Sequence, residues 1–141
     1  MKQLKIVIPL VLVIIIVILG VYVANNYSVS FDYDTNKVTN IVLDCYPGKN
    51  LITNDRNTID KICANINDAR LTCIGYGSGS AEEDIAICIF YEDGSKPKGD
   101  IIQLKPDGNV IINNFRYNNT GTPIDYDFLK SLLDNKEDTQ P

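Results

Sequence analysis

The sequence predicts an α+β domain: an antiparallel sheet of about five to six strands with two helices on one face, preceded by one N-terminal transmembrane helix. Three observations carry that prediction. The run from Ile6 to Ala24 holds 19 residues with no ionisable group except the Tyr22 phenol. Segments of alternating apolar and polar residues then recur between glycine, proline and asparagine turns. Two stretches, 59–66 and 128–133, carry apolar residues at helical spacing instead.

A helix over the leading apolar run would measure roughly 28 Å at 1.5 Å per residue, close to the hydrocarbon thickness of about 30 Å. Pro9 falls in its first turn, where a missing N–H costs little. Lys2 and Lys5 precede the run and hold the N-terminus inside, so the rest is exported. A cleaved signal peptide is the alternative. Its apolar stretch usually spans about 7–15 residues, and cleavage after Ala24 would put Tyr22 where a small side chain belongs. The expectation is a single-pass protein of the cell membrane, with its C-terminal domain outside; secretion after cleavage is the other outcome. The membrane is thus an expected partner, through Ile6 to Ala24. Residues 1–24 form the anchor, 25–36 a tether, 37–134 the exported domain and 135–141 a flexible tail.

Within the domain, 38–46 alternates and places Ile41, Leu43 and Cys45 on one face. Tyr46-Pro47-Gly48-Lys49 then makes a tight turn, because Pro presets one φ and Gly accepts a positive one. A short strand returns over 51–53. Asp55 or Asn57 caps a helix whose Ile59, Ile62, Cys63 and Ile66 fall at i, i+3, i+4 and i+7. Strands follow over 70–76 and 84–92, the latter with Ile85, Ile87 and Ile89 facing one way. Segments 101–105 and 109–115 flank Pro106-Asp107-Gly108 and read as a hairpin. A last helix over 125–133 aligns Phe128, Leu129, Leu132 and Leu133. Short connections imply antiparallel neighbours, including a hairpin of 70–76 with 84–92.

The 141 residues include 13 basic and 18 acidic side chains and no histidine. That absence excludes Ser-His-Asp and Cys-His catalysis, His-ligated zinc or haem, and a histidine pH switch. Beyond Lys2 and Lys5 the chain carries seven more acidic than basic residues, and its lysines and arginines are scattered. Such a surface repels phosphate backbones, so no nucleic-acid partner is expected.

Cys45 and Cys63 share inward faces and can meet in the core. A hairpin with Ile74 opposite Ile87 would also set Cys73 opposite Cys88, within reach of a disulfide. Cys45–Cys63 with Cys73–Cys88 is therefore the pairing expected if the thiols are oxidised. Buried free thiols compete with it, since all four cysteines stand where an apolar residue would fit. No CxxC exists, and no histidine is present to activate a thiolate.

The remaining motifs assemble no chemistry. Gly75-Tyr76-Gly77-Ser78-Gly79-Ser80 lacks the GK[ST] ending of a phosphate loop and is followed by Glu82, Glu83 and Asp84, so it reads as a flexible hairpin loop. Asp32, Asp34 and Asn36 match the start of a calcium loop, but Lys37 stands at the turn glycine and Leu43 at the bidentate glutamate. The three acids at 82–84 are expected to be solvated alike, which does not separate an acid from a base. No catalytic residue, cofactor site or metal site is expected. Tyr76, Tyr91 and Phe115 are the aromatic residues expected at a partner contact if one sheet face is free, with ordinary core as the competing role.

The segments KNLITNDRNTIDKICANI, IAICIFYEDGS and IIQLKPDGNVIINNFRYN together resemble the small membrane-anchored exported domains of unknown function of low-GC Gram-positive bacteria. The resemblance covers residues 37–133. It implies the same fold and location and brings no catalytic residues. The expected role is a non-enzymatic binding or interaction module at the cell surface. Two alternatives stand beside it: an envelope hydrolase with a Ser-Lys or carboxylate site, and an accessory subunit of a membrane complex.

Overall fold

The computed structural model describes residues 4–77, 81–94 and 96–137, with side chains throughout that set except at 4–8, 23–26, 136 and 137. Helix α1 (Leu4–Asn26) leads into strand β1 (Ser28–Ser30), then β2 (Val38–Cys45), β3 (Lys49–Thr53), helix α2 (Arg56–Asn67) and β4 (Arg70–Tyr76). Strands β5 (Ile85–Asp93), β6 (Lys96–Leu104), β7 (Val110–Ile112) and β8 (Phe115–Asn119) follow, and helix α3 (Tyr126–Glu137) is the last described element. The strands form one antiparallel sheet in the order β1-β4-β8-β7-β6-β5-β2-β3.

Alternation fixes which face each strand buries. Ile41 and Leu43 of β2, Ile85, Ile87 and Ile89 of β5, and Ile102 and Leu104 of β6 all point to one side and are fully or almost fully buried. Slipping β5 by one residue would move three isoleucines out of the core. At about 1.5–3 kcal/mol each, that is roughly 5–9 kcal/mol, comparable to the entire stability of a small domain. The opposing layer comes from the helices. Ile59, Ile62, Cys63 and Ile66 of α2 and Leu129 and Leu133 of α3 join the same core cluster. Asp55 starts α2 as its N-cap, its carboxylate accepting from the Thr58 backbone N–H at 2.9 Å and the Thr58 hydroxyl at 2.7 Å.

Three expectations change. The sheet has eight strands, two more than the upper expectation. One addition is β1, built from the polar 25–36 segment. The other arises because Asn113 and Asn114 take positive φ (50° and 67°) and split the expected 109–115 strand into β7 and β8. Asparagine tolerates that left-handed pair, which is what a tight hairpin turn demands.

The expected hairpin of 70–76 with 84–92 does not form. β4 pairs with β1 and β8, whereas β5 pairs with β2 and β6. Ile85, Ile87 and Ile89 sit opposite Cys45, Leu43 and Ile41, which extends one buried face across distant segments. Strand β4 instead carries exposed Ile74 where that hairpin needed a partner for buried Ile87.

The described residues form three helices, and none of these is long and apolar enough to cross a membrane. Helix α1 runs over 23 residues with Pro9 inside it. The transmembrane expectation is corrected accordingly.

Residues 27–36 lie against the domain. β1 pairs with β4, and Phe31 and Tyr33 pack on the core cluster. Asn67 fastens the segment, accepting from the Tyr33 backbone N–H at 2.8 Å and donating to the Tyr33 carbonyl at 3.0 Å. Residues 135–137 belong to α3, and the rest of the expected tail lies outside the described residues.

Candidate functional site

Both helices contribute to the core on one face of the sheet, and among the described residues no helix covers the other. Strand pairing lines up Ile52, Val42, Cys88 and Ile101 in a single row across β3, β2, β5 and β6 on that open face. Ile52 is 65% exposed and Ile101 64%. Phe90 extends the patch in the next row, its ring lying over Gly99, where an added Cβ would stand 3.2 Å from the ring. On the other side of the row come Asn50, Asp44, Ala86 and Gln103, a polar border with one carboxylate.

The aromatic residues singled out from the sequence separate. Tyr76 and Phe115 are cross-strand partners on β4 and β8, with ring centroids 6.3 Å apart at 80°. They are 72% and 48% exposed. Tyr91 lies elsewhere, half-buried on the helix-covered side. Its ring meets Tyr33 edge-on at 5.9 Å, and its hydroxyl donates to Asp100 Oδ2 at 3.1 Å.

That second aromatic group was hidden in the segment read as a tether. Val29, Phe31 and Tyr33 alternate there, which is the signal that they pack inward. Phe31 stacks on Tyr33 at 5.8 Å and 14°, and the Tyr33 hydroxyl donates to the same Asp100 oxygen at 3.0 Å. Burial, and then the Asp100 carboxylate, hold the Tyr33 phenol well above its ordinary pKa, so it stays a donor. A cavity of about 320 Å³ opens beside this group, lined by Phe31, Tyr33, Tyr91, Asp32, Glu92 and Asp100 among others.

All four cysteines are free thiols. The expected Cys73–Cys88 bridge is ruled out by topology: Cys73 faces the core on β4, Cys88 lies on the open face of β5, and three strands separate them. Cys73 instead sits opposite Tyr117. Burial pushes the Cys63 thiol up to about 11, with Asp60 adding to the shift. Cys45 and Cys88 are also raised, chiefly by burial. Such thiols favour the protonated, unreactive form.

The three consecutive acids are not solvated alike. The Asp84 side chain is 3% exposed and its Oδ2 accepts from Lys105 Nζ at 3.0 Å, Gln103 Nε2 at 3.3 Å and the Ala81 backbone N–H at 2.9 Å. Glu83 is exposed and pairs with Lys130 at 3.5 Å. Asp84 thus ties the start of β5 to the end of β6. Of the glycine-rich loop, residues 78–80 lie outside the described residues. At the calcium-like stretch, Asp34 accepts from the Asn36 backbone N–H at 3.1 Å and pairs with Lys37 at 3.9 Å. Among the described residues no three Cys, Asp or Glu side chains converge closely enough to hold a metal ion.

No protein-family model, curated protein or solved structure matches this chain.

Proposed function

We propose that this chain is a non-enzymatic interaction module displayed at the outer surface of a cell, and that it binds a protein through the open face of its sheet. The observation that carries this reading is the row Ile52, Val42, Cys88 and Ile101, with Phe90 beside it. An exposed, contiguous apolar patch with a polar border is the anatomy of a protein interface. The acidic excess of the domain and Asp44 on the border favour a partner whose apolar patch is ringed by lysine and arginine. Tyr76 and Phe115 offer a second, smaller contact at the far end of the sheet.

The outer-surface location rests on the resemblance to small exported bacterial domains.

A photo-crosslinking residue at position 101 of the full chain in living cells tests the reading. The expected result is a discrete protein adduct that falls roughly tenfold or more with Ile52→Asp in the same row. A crosslinker at Asp127 on α3 should give none. Equal adducts from 101 and 127, adducts to lipid alone, or none at 101 would overturn it.

A further inference from the structure

We infer that the cavity between residues 31–34 and the β5–β6 hairpin is a binding site for an organic cation, an ammonium or guanidinium group on an aliphatic stem. Phe31, Tyr33 and Tyr91 form its aromatic wall, with the Tyr33 ring meeting Phe31 at 5.8 Å and Tyr91 at 5.9 Å. Aromatic faces attract cations, and they do so best when the cation is poorly hydrated and organic.

The charges around the cavity point the same way. Lys37 is drawn to Asp34 and Lys98 to Asp93, so these cations and anions offset each other. Among the described residues no ion pair reaches the other three lining carboxylates, Asp32, Glu92 and Asp100. The two tyrosine hydroxyls both donate to Oδ2 of Asp100, which orients that carboxylate. The dispersal of the carboxylates speaks against a bare metal ion, since no three converge on one point among the described residues. The volume of about 320 Å³ is roughly ten times what one water occupies in the liquid, enough for a charged head and a short apolar stem. An anion would meet repulsion from the rim, and a neutral apolar ligand would leave the carboxylates unused.

The site lies on the helix-covered side of the sheet and is independent of the open face, so either proposal can fail alone. The shared chemistry has two sources, a free amine and a lysine side chain of another protein.

The test is an NMR titration of the full chain in nonionic detergent, following the ring protons of Tyr33 and Tyr91. n-Butylammonium chloride should give saturable shifts at both rings, while n-butanol and potassium chloride at matched ionic strength should not. N-acetyl-lysine methylamide distinguishes the sources: saturation with it as well assigns the site to a protein side chain, and saturation with butylammonium alone assigns it to a small amine. Asp100→Asn should weaken binding about tenfold. Glu92→Gln, on the exposed rim, should weaken it about twofold and guards against a folding defect in the first variant. Shifts that follow ionic strength alone, shifts that n-butanol reproduces, or affinities unchanged in both variants would overturn the inference.

Discussion

Cys73 and Cys88 lie on opposite faces of one sheet, with β8, β7 and β6 between their strands. The two thiols therefore meet different surroundings, one in the buried core cluster and one in the apolar row of the open face. Cys88 is half-buried, while Cys45, Cys63 and Cys73 are buried. Brief labelling of the native protein with a small neutral maleimide should modify Cys88 first, with Cys63 protected until the chain unfolds. Peptide mapping by mass spectrometry reads the order. Oxidation of the monomer should yield no Cys73–Cys88 peptide, and finding that peptide would contradict the strand order.

Half-buried Lys105 pairs with buried Asp84, their side chains 13% and 3% exposed. Removing one partner strands the other, so Lys105→Met should destabilise the domain by about 3–5 kcal/mol. The double variant Asp84→Leu with Lys105→Met should recover all but about 1–2 kcal/mol, because the Ala81 N–H loses its acceptor. Urea unfolding of the two variants beside the parent protein measures both quantities. A double variant no better than the single would show that the charge pair is not what holds β5 to β6 at this end.

Asp55 is held below the ordinary carboxylate range, first by its hydrogen bonds from Thr58. A depressed carboxyl contributes stability that is present above its unfolded value, about 3.9, and is lost as the pH falls through the lower folded value. Melting temperatures followed by circular dichroism should therefore drop below about pH 4. Asp55→Asn keeps an accepting oxygen for Thr58 but cannot titrate, so its acid-side drop should be shallower. Parallel slopes in the two proteins would remove Asp55 from the account.

Tyr33 works in the opposite direction. Its raised pKa, due first to burial and then to Asp100, gives stability that is full below the ordinary tyrosine value of about 10 and is lost as the pH rises above it. Phenolate absorbance near 295 nm should show one tyrosine that ionises only as the protein unfolds in alkali. Tyr33→Phe should abolish that delayed step and flatten the alkaline loss of stability. A Tyr33→Phe protein with an unchanged alkaline titration would place the delayed group elsewhere.

The two aromatic groups illustrate what is readable in sequence order. Tyr76 and Phe115 are 39 residues apart, yet they become cross-strand partners only because β4 pairs with β8. The cavity group was further from view: Phe31 and Tyr33 belong to a short polar segment, and Asp100 acquires its role only when Tyr33 and Tyr91 reach it. The open face was anticipated as a class of surface, but its row of Ile52, Val42, Cys88 and Ile101 draws on four strands whose register the sequence leaves unspecified.

Local spacing by itself determined the inward faces of β2, β5 and α2, a cap at Asp55 or Asn57, the Pro106-Asp107-Gly108 connection, and the absence of histidine chemistry. Each depends on side chains a few residues apart, where the periods of 2 and 3.6 act directly. Tertiary structure alone decided that β5 lies beside β2 rather than β4, that Cys73 and Cys88 part, and that Asn113-Asn114 turns one strand into two. Those outcomes depend on which distant isoleucine-rich faces bury most area together, a comparison over the whole sheet that no local window contains.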